Sequence, residues 1–174
     1  GFRHPLSPEE FRAHIEAGTL LDDINAVKVR AGDVLFIEAG TLHGIGAGCL
    51  VAEIQQNSNS TYRIFDYGRR DKNGNLRQLH IEKALAVTRL APPERPVGPV
   101  GPEMDCGGYT ETVLGLCDYF STTLLKVRDS VPLCADSKSY HALLLTHGAA
   151  ELKYAGGSLP LSAGECVFVP AGCG

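Results

Sequence analysis

No apolar run in these 174 residues approaches the roughly 20 needed to cross a bilayer, so a membrane-spanning helix is not expected. No signal peptide is read at the start either. Basic residues are in short supply: 16 Lys and Arg stand against 20 Asp and Glu, for a net charge of −4. A nucleic-acid surface needs a basic patch, and this composition does not supply one. The six cysteines, Cys49, Cys106, Cys117, Cys134, Cys166 and Cys173, include no C-x-x-C pair. They read as mostly buried cytosolic thiols, not as disulfides or a cysteine zinc site. There is no G-x-S-x-G elbow, P-loop, G-x-G-x-x-G after a strand, or H-E-x-x-H. Methionine occurs once, at Met104, and a start at Gly1 fits a trimmed or excised fragment. A 44% hydrophobic content is ordinary for a soluble globular protein with a real core, and the expected location is cytoplasmic.

Local signals divide the sequence. Ser7-Pro8-Glu9-Glu10 has the pattern of a capped helix start, with Ser7 at the N-cap, Pro8 in the first turn and Glu10 closing the box. Gly18 is placed to end that helix. A short helical turn is expected around Leu20 to Asn25, then strands from Val27 to about Tyr67. Asn73-Gly74 signals a hairpin, and His80 to Val87 has helical spacing. Pro92, Pro93, Pro96, Pro99 and Pro102 make residues 91–103 a connector. Further strands are expected over Tyr119 to Val127, Ser139 to Thr146, Ala150 to Tyr154 and Cys166 to Val169. One decapeptide recurs: AGDVLFIEAG at Ala31–Gly40 returns as AGECVFVPAG at Ala163–Gly172. Such an echo points to two related β units. The position matching His43 would lie just beyond Gly174.

The chemistry concentrates between Ala31 and Arg69, where His43, Glu53 and Arg63 sit on short predicted strands with glycines at the turns. Three segments in close succession, AGTLHGIGAG, AEIQQNSNSTYRIFDYGR and LRQLHIEKAL, resemble the type I mannose-6-phosphate isomerases of the cupin superfamily, in their short bacterial form. The opening GFRHPLSPEEFRAHIEAG resembles a mid-chain helical segment of that family, so the sequence looks like its C-terminal portion. The resemblance implies a mainly β fold: a bicupin of two jelly-roll-like β-barrels, the first incomplete, with a few short helices. On that reading residues 1–90 hold the helical segment and the first cupin with the active-site half. Residues 91–103 connect it to a second cupin at 104–174, read as truncated at its C-terminal end.

The same resemblance implies zinc-dependent interconversion of mannose 6-phosphate and fructose 6-phosphate. His43 would be a zinc ligand. Arg63 would steady the developing enediolate, a task suited to a permanently charged, forked donor. Glu53 is a candidate for proton transfer. One Zn2+ is expected per full-length chain, and this portion, lacking the other ligands, is expected to be weak or inactive alone. Arg63 or Arg69 could meet the phosphate of a hexose 6-phosphate. Asp66 and Arg69 match family positions, yet equally suit an ion pair closing a loop. His80 is accounted for by its place at a helix end, and His4, His14, His141 and His147 read as surface or core. Exposed strand edges suggest a homo-oligomer. The alternative function is a non-catalytic, cupin-type sugar-binding or assembly module.

Overall fold

The computed structural model describes residues 1–95 and 97–173, which form two compact units, Gly1–Lys126 and Val127–Gly174. The architecture is mainly β, with two short α-helices among the described residues.

In the first unit, α1 spans Pro8–Ala17 and starts as its sequence dictates. The Ser7 hydroxyl accepts from the Glu10 N–H, and the Glu10 carboxylate accepts from the Ser7 N–H. Gly18, at φ 73°, ends the helix in a left-handed conformation that a side chain would disfavour. A 3-10 turn follows at Leu20–Asp23, and α2 spans Ile81–Val87. Arg12 on α1 holds Glu82 on α2 through two hydrogen bonds of 2.6 and 2.8 Å. Between them lies the core of the unit: Phe2, Leu6, Phe11, Leu20, Ile64 and Ala84. The rings of Phe2 and Phe11 meet edge to face at 5.5 Å. A three-stranded sheet closes the unit, in the order β1 (Met104–Asp105), β2 (Tyr109–Leu116) and β3 (Ser121–Val127).

The second unit is one long antiparallel ribbon. β4 (His141–Leu144) pairs with β7 (Cys166–Val169), and β5 (Ala149–Tyr154) pairs with β6 (Gly157–Ser162). Leu144 faces Cys166, while Ala149 faces Ser162. Four residues lie between the first pair on one strand and three on the other, so the ribbon carries a one-residue bulge near Gly148.

The repeated decapeptide folds alike in both places. Gly32 and Gly164 each sit at φ 92°, and Gly40 and Gly172 at φ 83° and 80°. The Asp33 N–H donates to Arg30 O, as the Glu165 N–H does to Ser162 O. The Asp33 carboxylate accepts from the Arg30 N–H, as the Glu165 carboxylate does from the Ser162 N–H. One difference is large: Cys166–Val169 pairs with β4, whereas Val34–Ile37 pairs with no strand among the described residues.

This corrects the expectation of strands from Val27 to Tyr67: the segment is irregular, broken by turns, and joins no sheet among the described residues. Its sequence is right for strands, but a strand needs a neighbour. The residues preceding Val34 at the spacing by which β4 precedes β7 are Glu9–Arg12, and they belong to α1. The cysteine reading is also corrected. All six are free, five are exposed and Cys117 is half-buried, because they fall in turns, in loops or on the open side of β7.

Candidate functional site

Arg63 owes its position to its neighbour in sequence. Ile64 is planted in the core between the helices. Arg63 beside it is less enclosed, with 27% of its side chain exposed. Its backbone is gripped by His80, the residue before α2. The His80 N–H donates to Arg63 O at 2.7 Å, and the Arg63 N–H donates to His80 Nδ1 at 3.2 Å. The Arg63 guanidinium reaches Gln78 O at 3.4 Å and lies 3.8 Å from the Asp66 carboxylate.

Asp66 is the best-buried charged group of this cluster, with 9% of its side chain exposed. Its partner is Arg77, which donates from Nε and Nη2 at 2.7 Å each. The alternative of an ion pair between Asp66 and Arg69 is not formed: the Arg69 N–H donates to Asp66 O, and its guanidinium lies 5.4 Å from the ring of Tyr67. Reach decides this. The turn at Asp71–Asn75, held by the Asp71 carboxylate and by Gly74 at φ 82°, folds the chain back and delivers Arg77 to Asp66.

His43 is exposed, and its Nδ1 lies 2.9 Å from Thr41 O. A proton on Nδ1 donated to that carbonyl leaves Nε2 facing outward, the orientation of a ligating histidine anchored through its other nitrogen. The remaining donors of a zinc site are not beside it. Among the described residues no three His, Cys, Asp or Glu come together as a metal site, so these residues do not by themselves fit the ion. Glu53 is exposed, and no hydrogen bond or ion pair joins it to His43 or Arg63 among the described residues.

A cavity of about 280 Å³ lies elsewhere in this unit, lined by Glu38, Thr41, Arg89, Leu90, Pro92 and Glu94 among others, and contains none of the three. Glu38 there binds Arg89 at 2.5 Å and Arg95 at 3.1 Å. Two features escaped sequence reading. His80 contributes through its ring, not as a helix cap, since its side chain makes no capping bond. Asp23, buried, takes His14 at 2.5 Å and His4 at 3.5 Å, a contact made by the 3-10 turn that no spacing in the sequence announces.

The structure overlays the solved mannose 6-phosphate isomerase of Bacillus subtilis with a TM-score of 0.83, over 98% of this chain and 53% of that one, at 30% identity. The chain is a relative of the mannose-6-phosphate isomerases. Mannose-6-phosphate isomerase ManA of Bacillus subtilis is 32% identical over 95% of this chain and 52% of its own length. The mannose-6-phosphate isomerase of Streptococcus mutans is 33% identical over 73% of this chain and 39% of its own. This isomerase relative thus spans about half the length of the curated relatives it matches. No family model matches the sequence. No helix among the described residues is long and apolar enough to cross a membrane.

Proposed function

We propose that this chain is the C-terminal, active-site-bearing portion of a cytoplasmic bicupin isomerase interconverting mannose 6-phosphate and fructose 6-phosphate. The observation that carries the reading is the overlay of nearly the whole chain on half of a solved isomerase. Aldose–ketose interconversion moves a proton between neighbouring carbons while negative charge builds on the sugar oxygens. Arg63 is the group for that charge: fixed by His80 and Gln78, flanked by Asp66, with its guanidinium still partly open to solvent. Glu53 is the candidate carrier of the proton. The enzyme's zinc dependence belongs to this proposal, with His43 as this chain's own ligand, and no step is assigned to the ion here.

The test is a chimera in which these residues replace the matching part of the Bacillus subtilis isomerase. The expected result is isomerase turnover, with Arg63→Ala lowering it by about 10² to 10³ while melting is unchanged. A folded chimera that binds fructose 6-phosphate without turning it over would shift the function to a sugar-binding module. A folded chimera in which Arg63→Ala leaves turnover intact would remove Arg63 from the site.

A further inference from the structure

The repeated decapeptide serves as an internal control on what holds the turn before His43. Both copies close alike: the Thr41 N–H donates to Glu38 O at 3.0 Å, as the Cys173 N–H does to Pro170 O at 3.3 Å. Their neighbours differ. The second turn is tied through its backbone to Ala135 and Asp136. The first is tied to the segment leaving α2. There the Arg89 N–H donates to Gly40 O at 2.8 Å, and the Arg89 guanidinium meets the Glu38 carboxylate at 2.5 Å. Pro170, at the place of Glu38, has no charge to make such a bond. A Cβ on Gly40 would lie 2.6 Å from Val87 O, whereas one on Gly172 would meet nothing within 4 Å among the described residues. The other end of α2 holds Arg63, through the two bonds of His80. Between those ends α2 is a seven-residue helix about 10 Å long. It is seated by the buried Ala84 and by the Arg12 fork on Glu82.

We propose that α2 is the common frame on which His43 and Arg63 are placed, and that Arg89 is the positioning residue for His43 as His80 is for Arg63. The inference rests on the isomerase reading for the roles of His43 and Arg63, and the frame itself does not depend on it. Both residues lie on a stretch that joins no sheet among the described residues, so no ladder of backbone bonds sets their separation. Ties to one seated helix do. Arg89 acts through the turn: it fixes Glu38 and Gly40, and the imidazole of His43 is anchored in turn on Thr41 O. Arg95 reaches the same Glu38 carboxylate at 3.1 Å, with its guanidinium 4.1 Å from the centre of the Phe36 ring, so the turn keeps one cation when Arg89 is shortened. Catalytic groups displaced by about 1 Å lose rate steeply, which is what a shared frame prevents.

The experiment measures residual dipolar couplings of the backbone amides in the 174-residue chain. The amides of Thr41, His43, Arg63 and α2 are expected to fit one alignment frame. Gly40→Ala, which drives the turn off Val87 O, should take Thr41 and His43 out of that frame and leave Arg63 in it. Arg89→Ala should do the same to a smaller degree, and Arg89→Lys, which keeps a cation for Glu38, should restore the fit. His80→Ala should release Arg63 and leave His43. Gly32→Ala is the control for backbone strain: Gly32 sits at φ 92°, and an added Cβ there meets nothing within 4 Å among the described residues. In the chimera with the Bacillus subtilis isomerase, Arg89→Ala is expected to lower kcat about tenfold or more, with KM within about twofold and recovery in Arg89→Lys. Couplings of Thr41 and His43 that ignore both Gly40→Ala and Arg89→Ala would overturn the frame. A kcat unchanged by Arg89→Ala would overturn the positioning role. A folded parent chimera without turnover would overturn the isomerase reading alone, because the couplings decide the frame without it.

Discussion

His80 and Arg63 are tied at two points, by an N–H to carbonyl bond of 2.7 Å and an N–H to imidazole bond of 3.2 Å. An accepting Nδ1 puts the proton of the neutral ring on Nε2, so the contact sets the tautomer as well as the path of the backbone. His80→Ala removes the acceptor and is expected to cost about 1 kcal/mol and to speed exchange at the Arg63 amide. His80→Asn places a polar atom near the position of Nδ1, and His80→Gln near that of Nε2. Slow exchange should therefore return with Asn and not with Gln. Arg63 protection that is the same in all four proteins would show that the ring does not hold it.

Asp66 and Arg77 form the strongest charged contact near Arg63, two bonds of 2.7 Å on a carboxylate with 9% exposure. Asp66→Ala and Arg77→Ala should each destabilise the first unit. In a double-mutant cycle their coupling should be about 1–3 kcal/mol, within the range for bidentate charged pairs. Arg69→Ala should stay within about 0.5 kcal/mol of the parent, since Arg69 makes no ion pair with Asp66. Urea melts of the single and double variants decide this, and a coupling near zero would reduce the pair to a surface contact.

What the sequence disclosed was local. Ser7, Glu10 and Gly18 marked the ends of α1, and Cys166 to Val169 marked β7, because caps and short apolar runs act over a few residues. β6 was missed: Pro160 lies within it and reads as a breaker, yet the strand tolerates it opposite Glu151. β2 was missed because Tyr109–Leu116 mixes polar and apolar residues, and Gly115 is required there by the Phe36 ring, whose Cδ2 would lie 3.0 Å from an added Cβ. The strands expected around His43 failed for a different reason. Their apolar pattern is present, but a strand also needs a partner edge, and among the described residues no strand pairs with them. His43, Glu53 and Arg63 came from the resemblance alone, and among the described residues no hydrogen bond or ion pair joins the three. The latch by His80 and the Asp66–Arg77 pair are tertiary contacts that no spacing rule reveals.

Acid should weaken the first unit in a way that can be traced to α1. The Ser7 backbone bond, reinforced by the Ser7 hydroxyl, holds the Glu10 carboxyl below its ordinary 4.5, and the Arg12 guanidinium does the same for Glu82. A carboxyl depressed in the folded state favours folding above its unfolded value, and that contribution is lost as pH falls through the folded value. Melting temperature is therefore expected to hold from about pH 7 to about pH 5 and to drop below about 4.5. Glu10→Gln, which removes the titrating carboxyl and keeps the backbone of Ser7, should lower it at neutral pH and make the acid decline shallower. Salt should shrink the Glu82 share, because that pair is exposed. An acid decline unchanged by Glu10→Gln would separate it from the cap.

Zinc retention follows from the number of donors, not from the orientation of His43. Its Nδ1 is anchored on Thr41 O, so the orientation of this imidazole is fixed. A single imidazole does not hold the ion against a chelator, and no group of three donors is assembled among the described residues. After dialysis against a mild chelator, elemental analysis of the 174-residue chain is expected to give well under one zinc per chain, and His43→Ala should leave that residue unchanged. The chimera with the Bacillus subtilis isomerase should retain about one, and His43→Ala there should lower it by about tenfold or more. Close to one zinc on the chain alone, lost with His43→Ala, would mean that neighbouring chains complete the site around His43. A chimera whose zinc ignores His43→Ala would exclude this histidine from the ligand set.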